Sequence, residues 1–257
     1  MTTTTDKSSA LTQGVIIFVY LAVLTALEYG IAIALPSVPL LALVALIKAG
    51  LVMVYYMHIH KLGREDDASE GHDSYAYKIS TNRLGLWLFL LSDSFVFGGL
   101  FVSRFNLLGM ERPHLNQLLG LAVTSVLLIS SFFMNRAETS MAHGDQKGFL
   151  RGTMITIVLG IAFLVGVVGL EWQLAKLEQV IVNKDVVGGI FYMMTGMHAF
   201  HVLTGVIFLF IVWRLGKKGF FTREQHWGVE AAAVYWHFVD VVWIFFYPAL
   251  YLIGKVA

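Results

Sequence analysis

Glu230–Tyr251, EAAAVYWHFVDVVWIFFYPALY, decides the fold. The run is long enough to cross a bilayer, because about 20 residues at about 1.5 Å rise span a hydrocarbon layer of roughly 30 Å. Yet it carries Glu230, His237 and Asp240. Ionisable groups in that layer cost kilocalories each unless they find partners. On a helix, Glu230, Ala233, His237 and Asp240 recur at spacings of three and four and form one stripe. That stripe must face protein rather than lipid. Trp236 and Trp243 form a neighbouring stripe. The expected architecture is a bundle built around this helix.

The rest of the chain agrees. Of its 257 residues, 57% are hydrophobic and 14% charged, with a mean hydropathy of +0.72. A soluble domain has roughly 45–50% apolar residues. The sequence therefore describes an all-α polytopic membrane protein. A net charge of +1 gives no basic surplus for nucleic acid. With no cysteine, disulfides and thiolate-bound metals or clusters are excluded. Met1–Gly14 is polar, and the apolar segment after it is too long for a signal peptide and lacks an A-x-A site, so it reads as a retained helix.

Hydropathy gives about seven spans, roughly Gly14–Leu35, Val38–His60, Leu84–Arg104, Leu115–Met134, Gly152–Trp172, Gly188–Trp213 and Val229–Ile253. With the N-terminus inside, the inner segments collect Lys7, Lys61, Arg64, Lys78, Arg83, Arg136, Lys147, Arg151, Arg214, Lys217, Lys218 and Arg223. The outer ones hold only Arg104, Arg112, Lys176, Lys184 and Lys255. The positive-inside rule thus predicts N-in and C-out. Pro36 and Pro39 fall in the turn between the first two spans. One loop is acidic, with Glu65, Asp66, Asp67, Glu70 and Asp73, and reads as a solvated cytoplasmic linker. Extended, it would reach about 70 Å, so the first two helices need not pack beside the third. The division is 2 + 5: residues 1–62, a linker at 63–82, and a core at 83–257.

Nine histidines raise the question of haem. Two axial histidines must sit at matching depth on facing helices. His198 and His201 lie mid-span on the sixth helix and His237 on the seventh; His58 and His60 end the second. His72, His114, His143 and His226 lie in loops or at helix ends. The ordinary reading is that the buried histidines bond to carboxylates and carbonyls, with Asp93, Glu230 and Asp240 as ready acceptors. The intramembrane acids Glu28, Asp93, Glu171, Glu230 and Asp240 read either as a proton path or as inter-helix partners. Lys48 either snorkels or pairs with an acid such as Glu28. Glycines such as Gly98, Gly99, Gly160 and Gly205 read as close-packing positions. No phosphate loop, HExxH or G-x-S-x-G appears.

Three ordered stretches resemble subunit III of the haem-copper oxidases. They are RLGLWLFLLSDSFVFGGLF (Arg83–Phe101), GIFYMMTGMHAFHVLTGVIFL (Gly189–Leu209), with its TG-x-H-x-x-H pattern, and the final span. Most members carry Glu at the Asp93 position, and some, quinol oxidases among them, carry Asp. Glu171 matches an acid at the end of the fifth helix. In place of the family's first helix pair, ALIKAGLVMVYYMHIHKL (Ala45–Leu62) resembles the small bacterial subunit IV of these oxidases, a lysine-bearing helix ending in a Met-His pair.

The resemblance implies an accessory, non-catalytic subunit of a proton-pumping aa3-type oxidase in the bacterial cytoplasmic membrane. The complex would pass electrons from cytochrome c to oxygen. The partners implied are the catalytic subunit I, carrying haem a and copper, and the copper-bearing subunit II; a larger respiratory supercomplex is also compatible. This chain itself would hold no redox cofactor but would bind phospholipid and support proton uptake. Motif position makes Asp93, Glu171, His198, His201, Glu230, Trp236, His237 and Asp240 candidates near lipid or the subunit interface. Asp93 leaves quinol open as the donor. Two rivals are a free-standing ion or proton transporter, which would work without partners, and a haem b anchor, which would show a Soret band alone.

Overall fold

The structure, a computed structural model, describes residues 3–34, 37–59, 75–182, 184 and 186–256. Among them, seven helices are long and apolar enough to cross a membrane. The elements are α1 (Thr3–Ala34), α2 (Val38–Leu51), α3 (Tyr75–Leu108), α4 (Gln117–Ala142), α5 (Gln146–Leu164), α6 (Trp172–Leu177), α7 (Val186–Lys217) and α8 (Trp227–Tyr247). Wider π-helical turns at Val52–Tyr56 and Pro248–Leu252 extend α2 and α8, and another at Val165–Glu171 joins α5 to α6 in one crossing. A two-residue parallel pair, β1 (Glu111–Arg112) with β2 (Lys255–Val256), ties the end of the chain to the loop after α3. The protein is an all-α polytopic membrane protein.

The Glu230–Tyr251 stretch is the axis of the bundle. Seventy-two per cent of its most apolar window is buried, against 11% for α3. Every residue from Ala231 to Asp240 is buried. A helix surrounded on all sides can be apolar all round and still carry ionisable groups, because each face meets protein. Helices α3, α4, α7 and α2 surround it.

Several boundaries differ from the hydropathy reading. Helix α1 begins at Thr3 and α3 at Tyr75, so polar flanks continue the helices beyond the apolar core. Helix α4 runs on from Met134 to Ala142 and buries Asn135, Glu138 and Ser140. Hydropathy stops at polar residues, whereas protein on the facing side can bury them. Pro39 lies in the first turn of α2, after the N-cap position Ser37, where its missing N–H costs nothing. The acidic residues Glu65, Asp66, Asp67, Glu70 and Asp73, with His60 and His72, lie outside the described residues.

The first two helices seat mainly on α4 and α8. Phe18 meets Phe132 at 4.9 Å between ring centroids, and Tyr56 Oη donates to the Gly14 carbonyl at 3.2 Å. At the end of the bundle where the basic residues collect, Lys7 Nζ donates to Asp145 Oδ2 at 2.7 Å. Asp145 also caps α5, its Oδ1 accepting from Gly148 N–H at 2.9 Å. The Lys7 hydrogen bond, followed by the Gly148 N–H, holds the Asp145 carboxyl below its ordinary range. A depressed folded-state value adds stability that is present above the unfolded value and lost as pH falls through the folded one. Asp145→Ala removes the cap and the tether together and is expected to cost about 1 kcal/mol at neutral pH. Thermal melting of the detergent-purified protein checks this. The difference from the parent should begin to shrink as pH falls below about 4, where the unfolded carboxyl takes up its proton, and vanish only below the depressed value at which the folded Asp145 is protonated.

Candidate functional site

The candidate residues fall into polar contacts strung along α8 and its neighbours. At the cationic end, Arg83 Nη2 of α3 donates to Glu230 Oε1 at 3.1 Å and Oε2 at 3.4 Å. Glu230 is thus engaged by an arginine and joins α3 to the start of α8. Mid-bundle, His237 Nδ1 and Ser131 Oγ of α4 lie 2.7 Å apart. Asp240 Oδ2 stands 3.7 Å from the same nitrogen, beyond hydrogen-bond reach. The Tyr56 ring covers His237 at 5.0 Å. Toward the opposite end, Tyr251 Oη donates to Glu171 Oε1.

Trp236 shows why the small residues are where they are. Its indole N–H donates to Ser130 Oγ at 3.1 Å. A Cβ at Gly160 would come within 2.6 Å of its ring, and one at Gly205 within 3.0 Å. The two glycines make the slot between α5 and α7 that admits an indole. Gly98 and Gly99 behave differently. A Cβ on either would meet nothing within 4 Å, so they do not pack closely. Gly98 instead borders an apolar groove of about 280 Å³ between α3 and α8, walled by Phe97, Phe101, Phe238, Val242 and Phe246.

The Asp93–His201 pair adjoins that groove, with the Phe97 ring 4.7 Å from His201. His201 Nδ1 lies 2.8 Å from the Met197 carbonyl. A carbonyl only accepts, so Nδ1 carries the hydrogen. In the neutral ring Nε2 is then a bare lone pair, and it sits 3.2 Å from Asp93 Oδ2. That approach makes no hydrogen bond: Asp93 Oδ2 has no hydrogen-bond partner among the described residues. Both side chains are largely covered, at 11% and 14% exposure, and Asp93 Oδ2 itself is buried.

His198 departs from the expectation for buried histidines. Among the described residues neither ring nitrogen has a hydrogen-bond partner. The ring lies 4.7 Å from Trp243 and 5.5 Å from Phe163, edge-on to the latter. Aromatic packing takes the place of the carboxylate.

Other functional groups were weakly legible or silent in the sequence. Glu28 and Lys48 do form a pair, at 2.5 Å and 0% and 2% exposed; opposite charges on adjacent apolar spans were the signal. Arg104 reads as an outer-loop cation, yet it is fully buried. Its Nε donates to the Ala249 carbonyl at 2.9 Å, Nη2 to Ile253 at 3.1 Å and Nη1 to Gly109 at 3.1 Å. The fork closes the carbonyl end of α8. No group of three or more histidine, aspartate or glutamate residues arranged to hold a metal occurs among the described residues.

The family model for cytochrome c oxidase subunit III matches residues 7–255, a range that includes the first two helices. The chain is 33% identical to cytochrome c oxidase subunit 3 of Thermostichus vulcanus, over 67% of this chain and 87% of that protein. It is 34% identical to the horse (Equus caballus) protein of the same name, over 79% and 81% of the two chains. It is 33% identical to that of a Synechocystis strain, over 66% and 74%. Taken with the seven-span bundle and its central α8, these matches establish that the chain belongs to the cytochrome c oxidase subunit III family.

Proposed function

We propose that this chain is an accessory, non-redox subunit of an aa3-type, proton-pumping cytochrome c oxidase in a bacterial cytoplasmic membrane. It would seat on the haem a- and copper-bearing subunit I beside the copper-bearing subunit II. There it would stabilise the assembly, hold lipid and assist proton uptake. The Asp93–His201 pair carries the proton part of this reading. Its side chains approach to 3.2 Å and it borders an apolar groove that suits an acyl chain. The N-terminal hairpin keeps its likeness to the small subunit IV as part of the proposal: Lys48 of that motif is bound to Glu28 within the hairpin.

Asp93→Asn separates proton handling from packing. The amide is nearly isosteric, and its N–H can donate to the bare His201 Nε2. The contact is kept while the ionisable carboxyl is lost. The expected result is an assembled complex in ordinary yield whose proton uptake, or turnover lifetime, falls several-fold. Solution pH changes in single turnovers and prolonged oxygen consumption measure both. Loss of assembly, with normal turnover by whatever complex remains, would make Asp93 a structural residue only.

A further inference from the structure

The cationic end carries a groove that the oxidase reading leaves unassigned. It lies between α5 and α7, has a volume of about 420 Å³, and is lined by Leu150, Arg151, Met154, Ile155, Trp213 and Lys217. Arg151 and Lys217 are exposed. Neither forms an ion pair among the described residues. Asp145 acts on Arg151 at a distance, but its oxygens are committed to Lys7 and to Gly148 N–H. Lys217 Nζ rests 4.9 Å from the Trp213 ring, and Phe210 stacks on the same indole at 6.0 Å and 22°. Farther from the helix ends the wall turns wholly apolar and open, with Ile155 38%, Phe210 44% and Val158 56% exposed.

This order of groups has a chemical meaning. Two free cations stand at the level where the helices leave the membrane. An indole sits about one turn deeper, where amphipathic rings collect. An aliphatic and aromatic track continues toward the bilayer centre. Lys147, Arg214 and Lys218 add positive charge at the same end. We propose that the groove binds an anionic phospholipid, its headgroup phosphate between Arg151 and Lys217 and one acyl chain along Met154, Ile155 and Phe210. The inference needs only the membrane-spanning fold and not the oxidase role.

Native mass spectrometry of the detergent-purified full chain and of the assembled complex tests it, with palmitoyl-oleoyl phosphatidylglycerol and the matching phosphatidylcholine as probes. A surface cation is worth roughly fivefold in affinity for an anionic lipid. Arg151→Gln with Lys217→Gln should therefore raise the phosphatidylglycerol dissociation constant about 30-fold and leave phosphatidylcholine binding unchanged. The charge-preserving pair Arg151→Lys with Lys217→Arg should retain binding. Lys176→Gln with Lys184→Gln, at the other end of the bundle, should have no effect. Four results would each overturn the proposal. One is unchanged affinity in the double glutamine variant. Another is an equal loss in the Lys176/Lys184 control. A third is displacement of the lipid by inorganic phosphate at matched concentration, which marks a free-anion site. The last is binding to the isolated chain but not to the complex, which marks a protein interface.

Discussion

Lys48→Met alone is expected to destabilise the folded chain by about 3–5 kcal/mol, because it strands a buried carboxylate. Glu28 is 0% exposed, and Lys48 is its only ion-pair partner among the described residues. In water the lost partner would be replaced by solvent; between α1 and α2 it is not. The same reasoning gives Glu28→Gln a penalty of the same kind, because it strands the buried Lys48 cation, reduced only by the hydrogen bond the amide oxygen can still accept from Nζ. The double variant Glu28→Leu with Lys48→Met should recover most or all of the loss, because two desolvated charges are exchanged for apolar packing. Thermal melting and yield of the detergent-solubilised protein measure all three. A double variant as unstable as Lys48→Met would mean that the pair supplies net stability beyond mutual neutralisation.

Arg104→Met should be comparably damaging, for a different reason. Among the described residues the guanidinium is the only side-chain donor to the Ala249, Ile253 and Gly109 carbonyls. Each acceptor left unpaired away from water costs about 1–3 kcal/mol, so a loss of about 3 kcal/mol or more is expected. The carbonyl end of a helix also favours positive charge. Arg104→Lys should recover part of the loss, because an ammonium keeps the charge but cannot span three acceptors with a fixed fork. If Arg104→Met melts with the parent, the fork is incidental and the Pro248–Leu252 turn is held by its own backbone bond, Ile253 N–H to the Pro248 carbonyl at 2.8 Å.

The spans were legible because bilayer thickness sets a length that a run of apolar residues either meets or does not. The centrality of α8 was legible because His237 and Asp240 cannot face lipid. Pairings were harder. Arg83 and Glu230 lie 147 residues apart, and Tyr251 and Glu171 lie 80 apart. Nothing local in the sequence links them; only the packing of helices does. Arg104 was misplaced because the positive-inside rule counts charges by loop and does not see a fork folded back onto a helix end. His198 was misjudged because the partner sought was polar, and the fold supplied two aromatic rings. The π-helical turns leave no periodicity signal, since each shifts the register by a single residue.

The central physical claim is that the ionisable groups inside this bundle are matched to side chains and backbone of the same chain. Glu28 takes Lys48, Glu171 takes Tyr251, Glu230 takes Arg83 and His237 takes Ser131, while Asp93 faces His201 at 3.2 Å. His198 and Asp240 have most room to contradict this, because neither has a hydrogen-bond partner among the described residues. The most direct measurement is metal analysis with a visible spectrum of the full chain purified apart from every companion, alongside the native assembly. The expected result is a colourless chain, with haem and copper appearing only in the assembly that copurifies with it. Stoichiometric iron or copper, or a Soret band, on the isolated chain would contradict it.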